Sequence, residues 1–147
     1  MKLQIASRIA IYALLELAAQ PDEQVSVAAI GEKYRISSHH LAKVMKVLSR
    51  EGLVRSVRGA GGGSQFSGNA RRTTLLDVIQ LFENFGSEED SGKPGEATDE
   101  ERVLRHILDE IDDISRATFG SITIATMLKL LERHRKDHRR TAAGHPG

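Results

Sequence analysis

A mainly α-helical fold with one small β-ribbon is what this sequence predicts, and three observations carry that expectation. The stretch Ile36 to Phe66, ISSHHLAKVMKVLSREGLVRSVRGAGGGSQF, reads as a helix followed by two short strands around a glycine-rich turn. Apolar residues recur at helical spacing in the two segments before it, so three helices precede the ribbon. A further apolar stripe, Val103 to Ile114, begins beyond an acidic, glycine-containing stretch. Helix, turn, helix, strand, turn and strand make a winged helix-turn-helix head, here with a long C-terminal helix behind it. The expected division is 1–85 as the head, 86–98 as a flexible acidic loop, 99–135 as dimerisation helices and 136–147 as a disordered basic tail.

Leu3 to Ala19 is rich in helix formers, with Ile5, Ile9, Ala13 and Leu17 as a stripe and Ala10 and Leu14 beside it. Lys2 and Arg8 sit near its start, where free N–H groups suit phosphate contacts. Pro21-Asp22 breaks it. Val27 to Tyr34 forms the second helix, with Val27, Ile30 and Tyr34 inward, and Arg35-Ile36 is the short turn after it. Ser37 caps the third helix. Leu41, Val44, Met45 and Leu48 face the core, which leaves Ser38, His39, His40, Lys43, Lys46 and Arg50 outside. Glu51-Gly52 ends that helix, glycine being able to take a left-handed cap. Leu53 to Val57 and Ser64 to Ser67 read as the strands, with Arg55 and Arg58 projecting. Gly59, Gly61, Gly62 and Gly63 form the turn.

Thr73 or Thr74 caps a fourth helix, Leu75 to Phe85, with Leu75, Val78, Ile79 and Phe82 apolar on one side. Gly86 to Thr98, GSEEDSGKPGEAT, is a loop by composition. Thr98 and Glu101 have capping-box spacing. Val103, Leu104, Ile107, Leu108, Ile111 and Ile114 then form a stripe outside an already closed core, and such a stripe needs a partner. A twin helix from a second copy is the simplest one. Ser121 caps a last helix, Ile122 to about Arg135.

The composition narrows the function classes. With 4% aromatic residues and no tryptophan, a base-stacking surface for single strands is not expected. The absence of cysteine excludes disulfides, zinc–thiolate sites and protein-thiolate iron–sulfur ligation, and no cofactor is expected. No apolar run has the roughly 20 residues of a membrane span, and no signal-peptide pattern opens the chain, so a cytoplasmic location is the expectation. The net charge of +1 conceals an asymmetry: Lys plus Arg against Asp plus Glu is 11 to 7 over Met1–Phe85, 4 to 11 over Gly86–Arg116 and 6 to 2 over Ala117–Gly147. From Lys43 to Arg58 stand five basic residues and one acid, the footprint of a phosphate-gripping surface.

Competing chemistries find little support. His39 and His40 point about 100° apart on a helix and do not share a metal. The glycine run neither opens a helix nor precedes a Lys-Ser or Lys-Thr pair, as a nucleotide loop requires. His134 with His138, and His106 with Glu110, have one-face spacing, which a metal or haem could use; exposed histidines in a basic segment are the plainer reading. No serine or cysteine nucleophile is paired with a recognisable base, so no enzyme is expected.

The string LVRSVRGAGGG, following S-x-x-x-L-x-K-x-x-x-x-L, resembles the bacterial regulators of the IscR, NsrR and CymR family, and MKLQIASRIAIYALLELA is similar to that family's first helix. The resemblance spans Met1 to Glu83; the long helix matches in position and character. It implies a homodimeric winged-helix regulator of transcription that binds double-stranded DNA, with Ser38, His39, His40 and Lys43 in the major-groove position. Lys46, Arg50, Arg55, Arg58, Lys2 and Arg8 would lie on phosphates or in the minor groove, and Gly59 to Gly63 at the wing tip. It also makes the Val103–Ile114 helix a dimer interface. Two departures stand out. After the glycines the family has an aromatic and aliphatics where Ser64-Gln65-Phe66 stands here. Many members hold an iron–sulfur cluster on three cysteines beyond the head, and here those places hold acids, Ser91 or Arg102 according to alignment. The expected function is a sequence-specific repressor without a cysteine-ligated cluster. The alternatives are a protein-interaction regulator that keeps the fold, and a sensor of a metal or an unidentified small-molecule effector through non-cysteine ligands.

Overall fold

The computed structural model describes residues 3–58, 62–83 and 95–144. Among these residues six helices and one antiparallel ribbon follow in the order α1 (Ile5–Ala18), α2 (Val27–Tyr34), α3 (Ser38–Arg50), β1 (Val54–Val57), β2 (Gly63–Phe66), α4 (Leu75–Ile79), α5 (Asp99–Gly120) and α6 (Ile124–Ala143).

The core is aliphatic and centred on α1. Ala10, Ala13, Leu14 and Leu17 are fully buried there, against Ile30 of α2, Leu41 and Leu48 of α3, Val78 and Ile79 of α4, and Ile124 of α6. Small residues on α1 let neighbouring helices approach closely. Ile5, expected in the stripe, is instead 60% exposed; in that first turn Ser7 is the buried residue and Ala6 packs against the core. Gln4 gives α1 no side-chain cap. Glu83 supplies the missing acceptors from the far end of the head: its carboxylate accepts from the Gln4 N–H at 3.1 Å and from the fully buried Ser7 Oγ at 2.8 Å. A negative charge at that end also suits the helix dipole.

Local signals set the helix-turn-helix. Ser26 caps α2 by accepting from the Ala29 N–H, and Ser37 caps α3 by accepting from the His40 N–H. Between them Arg35 adopts a left-handed backbone (φ 56°), and the Ile36 N–H closes the turn on the Gly31 carbonyl at 2.8 Å. A Cβ at Gly31 would lie 3.1 Å from the Ile36 carbonyl oxygen, so glycine gives the turn its clearance. Gly52 (φ 75°) reverses the chain after α3.

The ribbon pairs Val54 with Phe66, Arg55 with Gln65, Ser56 with Ser64 and Val57 with Gly63. Its strands are one residue offset from expectation: β1 starts at Val54, and β2 runs from Gly63, so Gly63 belongs to the strand rather than the tip. The reason lies in the loop after α1. Val25 and Ser64 exchange backbone hydrogen bonds at 2.9 Å each, which draws the start of β2 against that loop.

α4 has the expected Thr74 cap, as a full capping box with Asp77, but its α-helical part ends at Ile79 and turns carry the chain through Phe82. The Thr98–Glu101 capping box opens α5 as expected. The last helix differs from expectation at both ends. Ser121 closes α5 by donating to the Thr118 carbonyl at 2.7 Å, and Thr123 caps α6. The offset follows from docking: the Leu75 N–H donates to the Ile122 carbonyl, and the Ile124 and Ala125 N–H groups donate to Thr73 and Ala70. The first turn of α6 is thus built into the core. Its far end continues to Ala143, where a disordered tail from Lys136 was expected. No glycine or proline intervenes before Gly144, and Thr141 donates back to the Asp137 carbonyl within the helix.

Candidate nucleic-acid interface

α3 is sorted sharply into two faces. Leu41, Val44, Met45 and Leu48 are buried, while Ser38, His39, His40, Lys43, Lys46 and Arg50 are exposed. Among the described residues, the side chains of His39, His40, Lys43, Lys46, Arg50 and Arg58 hold no ion pair or side-chain hydrogen bond. The apolar face anchors the helix and the polar face is left to solvent. A helix so held can enter a major groove with its first turns towards base edges.

The ribbon stands beside it. Arg58 is exposed just beyond the last strand pair, Val57–Gly63, and Gly62 is exposed in a left-handed conformation (φ 62°) immediately before β2. Gly63 is half-buried, and a Cβ there would come within 2.5 Å of Gln24 Cγ and 3.0 Å of the Val25 carbonyl oxygen. Gly59 and Gly61 of the expected tip lie outside the described residues, as does Lys2. Arg55 is exposed but engaged: Nε and Nη2 both donate to Gln65 Oε1, at 3.2 and 2.8 Å. Gln65 Nε2 donates in turn to the Asp22 carbonyl at 3.3 Å, and Gln24 Nε2 to the Val57 carbonyl at 3.3 Å. Two glutamines therefore lash the ribbon to the loop after α1. Sequence reasoning missed both; the cross-strand register was the signal that would have set residue 65 opposite residue 55.

The start of α1 is less open than expected. The Glu83 carboxylate already sits on the Gln4 N–H, so an incoming phosphate would meet a negative charge. Arg8 stays exposed, with Nε donating to the Leu3 carbonyl at 3.4 Å.

Between α1 and α2, Glu16 accepts from Tyr34 Oη at 2.5 Å and pairs with Lys33. Tyr34 stacks on Tyr12 with ring centroids 4.9 Å apart. Burial alone would push the Glu16 carboxyl up. The hydrogen bonds from Lys33 and Tyr34, with the charges of Lys33 and Arg135, outweigh burial and hold it below the ordinary carboxylate value. Burial, and then the Glu16 carboxylate, push the Tyr34 phenol well above its ordinary range, so it remains a donor.

On α5 the half-buried residues are Asp112, Ser115, Arg116 and Phe119, one helical face turned to the head. The apolar stripe lies elsewhere: Val103, Leu104, Ile107, Leu108, Ile111 and Ile114 are 43% to 67% exposed. Of the histidine pairs, His106 Nε2 lies 3.3 Å from Glu110 Oε1, and His134 stacks on His138. Among the described residues no group of three or more His, Asp or Glu side chains could hold a metal ion, and no helix is long and apolar enough to cross a membrane.

A buried helix-turn-helix with an exposed basic third helix and a glycine-turned ribbon defines the class of winged-helix transcriptional regulators. Within that class the family model "Rrf2: Iron-dependent Transcriptional regulator" matches residues 3–130, and the chain belongs to this family. It is 44% identical over 144 residues to the BadM protein of Rhodopseudomonas palustris, whose name describes an HTH-type transcriptional regulator; the match covers 98% of this chain and 92% of that one. Its fold is similar to T. potens IscR (TM-score 0.75, 27% identity, covering 91% and 90% of the two chains). It is also similar to CymR of B. subtilis, titled the global cysteine regulator (TM-score 0.71, 26% identity, 88% and 98%). Proteins of this family regulate transcription and are not enzymes. The iron that the family description carries meets no thiolate in this chain, which has no cysteine, and the donors described around α5 are carboxylates and a histidine already paired. A thiolate-held cluster does not fit this donor set.

Proposed function

We propose that this protein is a homodimeric repressor that binds a roughly palindromic stretch of double-stranded DNA and needs no cysteine-ligated cluster. The observation that carries the reading is the division of α3, with its apolar residues locked in the core and its histidines and cations left free. His39, His40 and Lys43 take base edges or the phosphates beside them, with Ser38 at the helix start. Lys46 and Arg50 lie further along and neutralise phosphate, and Arg58 enters the minor groove beside the glycine turn, where narrow grooves attract arginine.

The exposed stripe of α5 supports the dimer. Val103 to Ile114 spans about 16 Å of helix, on a face its own head does not use. A second copy offers the same stripe, and a two-fold contact is self-complementary by construction. Two heads related by that axis would face two half-sites, hence the palindrome. Acting in the cytoplasm, the dimer would repress by occupying promoter DNA.

Binding-site selection from genomic fragments, followed by salt-dependent gel shifts and light scattering, tests the reading. A dimer that recovers one palindromic sequence, with affinity falling steeply as salt rises, is the expected result. A monomer, or binding indifferent to sequence, would overturn it.

A further inference from the structure

The departure at Ser64-Gln65-Phe66 has a physical role in this chain. Arg55 and Gln65 are directly paired across the ribbon, and one oxygen of Gln65 takes both the Nε–H and one Nη2–H of the guanidinium. Because Gln65 Nε2 donates to the Asp22 carbonyl, its amide has one favourable orientation, with the oxygen towards Arg55. A guanidinium has five N–H donors in a rigid fork. With the Nε edge occupied, the opposite edge, Nη1 with the remaining Nη2–H, points away with two parallel donors, the geometry that grips a phosphate bidentately. Glutamine is neutral, so the arginine keeps its whole charge; a glutamate there would accept from the same fork but cancel its charge and lose the donor to Asp22.

We propose that Gln65 is a positioning residue that presets Arg55 as a second phosphate-binding arm on the wing, distinct from Arg58. A free arginine loses much rotamer freedom on docking to DNA, and Gln65 removes part of that loss before DNA arrives. The Gln24 bond to Val57 and the Val25–Ser64 bridge fix the ribbon on which both stand. The inference rests on the DNA-binding reading above.

A double-mutant cycle on the full-length protein tests it, read by fluorescence anisotropy on a duplex recovered by selection with the unaltered protein. Arg55→Ala should weaken binding roughly tenfold and flatten the salt slope by about one unit. Gln65→Leu should weaken it roughly three- to tenfold with the slope kept, because the charge remains but is no longer placed. In the Arg55→Ala background, Gln65→Leu should cost less than about twofold. Gln65→Glu gives up the donor to the Asp22 carbonyl and so should lower the thermal melt, as Gln65→Leu does, but unlike Gln65→Leu it should also flatten the salt slope by about one unit, which loss of a purely structural bond would not do. Additive losses, a silent Arg55→Ala, or a Gln65→Glu variant with the original slope would each overturn the proposal while leaving the DNA reading intact. Should the unaltered protein recover no duplex at all, the DNA reading fails and this inference fails with it.

Discussion

α3 and α5 carry the same kind of sequence signal and meet opposite fates. Both repeat apolar residues at helical spacing. In α3 every member of the stripe is buried by the chain's own head, and in α5 all six remain open. The difference lies in what surrounds them. α3 is tied by short turns into a set of helices that already converge on α1. α5 follows an acidic segment and touches its head mainly through Phe119 and the polar residues on that face. Periodicity announces that a face will be buried; chain connectivity decides whether the same molecule can bury it.

Substitutions in the two stripes should therefore fail in different ways. Leu48→Ala on α3 removes a fully buried side chain and should cost about 2–5 kcal/mol of folding stability, read as a lower denaturation midpoint at every protein concentration. Ile107→Glu on α5 should leave the head's fold intact yet place an unpaired carboxylate in the proposed seam, at a cost of several kcal/mol to association. Light scattering should then show a monomer, and DNA binding should fall with it. A tight Ile107→Glu dimer would mean that α5 does not meet its twin through this stripe.

The outward face of α3 sharpens the comparison at lower energy. His39→Ala should relax preference at one half-site position, by about 1–3 kcal/mol for the favoured base. Lys46→Ala should weaken specific and non-specific DNA alike and lower the salt slope by about one unit. Arg58→Ala should cost more on A·T-rich, narrow-grooved flanks than on G·C-rich ones. Equal losses on every sequence from all three would mean that α3 does not read bases.

The head and the start of α5 were legible because their signals are local. Ser37, Gly52, Thr74 and the Thr98–Glu101 pair each mark a boundary through bonds made within a few residues. The errors arise where distant segments decide. Thr123 rather than Ser121 caps α6 because Ile122 to Ala125 dock on Ala70 to Leu75, a meeting no local pattern announces. Glu83 on the start of α1, and Gln65 on Arg55, are likewise contacts across the chain. Of the proposed DNA-contacting set, the residue types were evident from charge and position on α3. Their freedom from partners, and the engagement of Arg55, required the fold.

The smallest expected effect lies in the cluster that binds α2 to α1. Glu16 has a carboxyl held below its ordinary value of 4.5 because hydrogen bonds from Lys33 and Tyr34 outweigh the burial that opposes its charge. A carboxyl depressed in the folded state stabilises fully above its unfolded value and loses that contribution as pH falls through the folded one. Glu16→Gln should therefore be less stable than the unaltered protein at neutral pH, by about 1 kcal/mol or less for so accessible a pair. The gap should close as pH drops below 4.5. Paired thermal melts across that range measure it. A gap that persists in acid would mean that Glu16 acts through packing and the neutral Tyr34 bond rather than through charge. The contact between α2 and α1 would then be insensitive to acid.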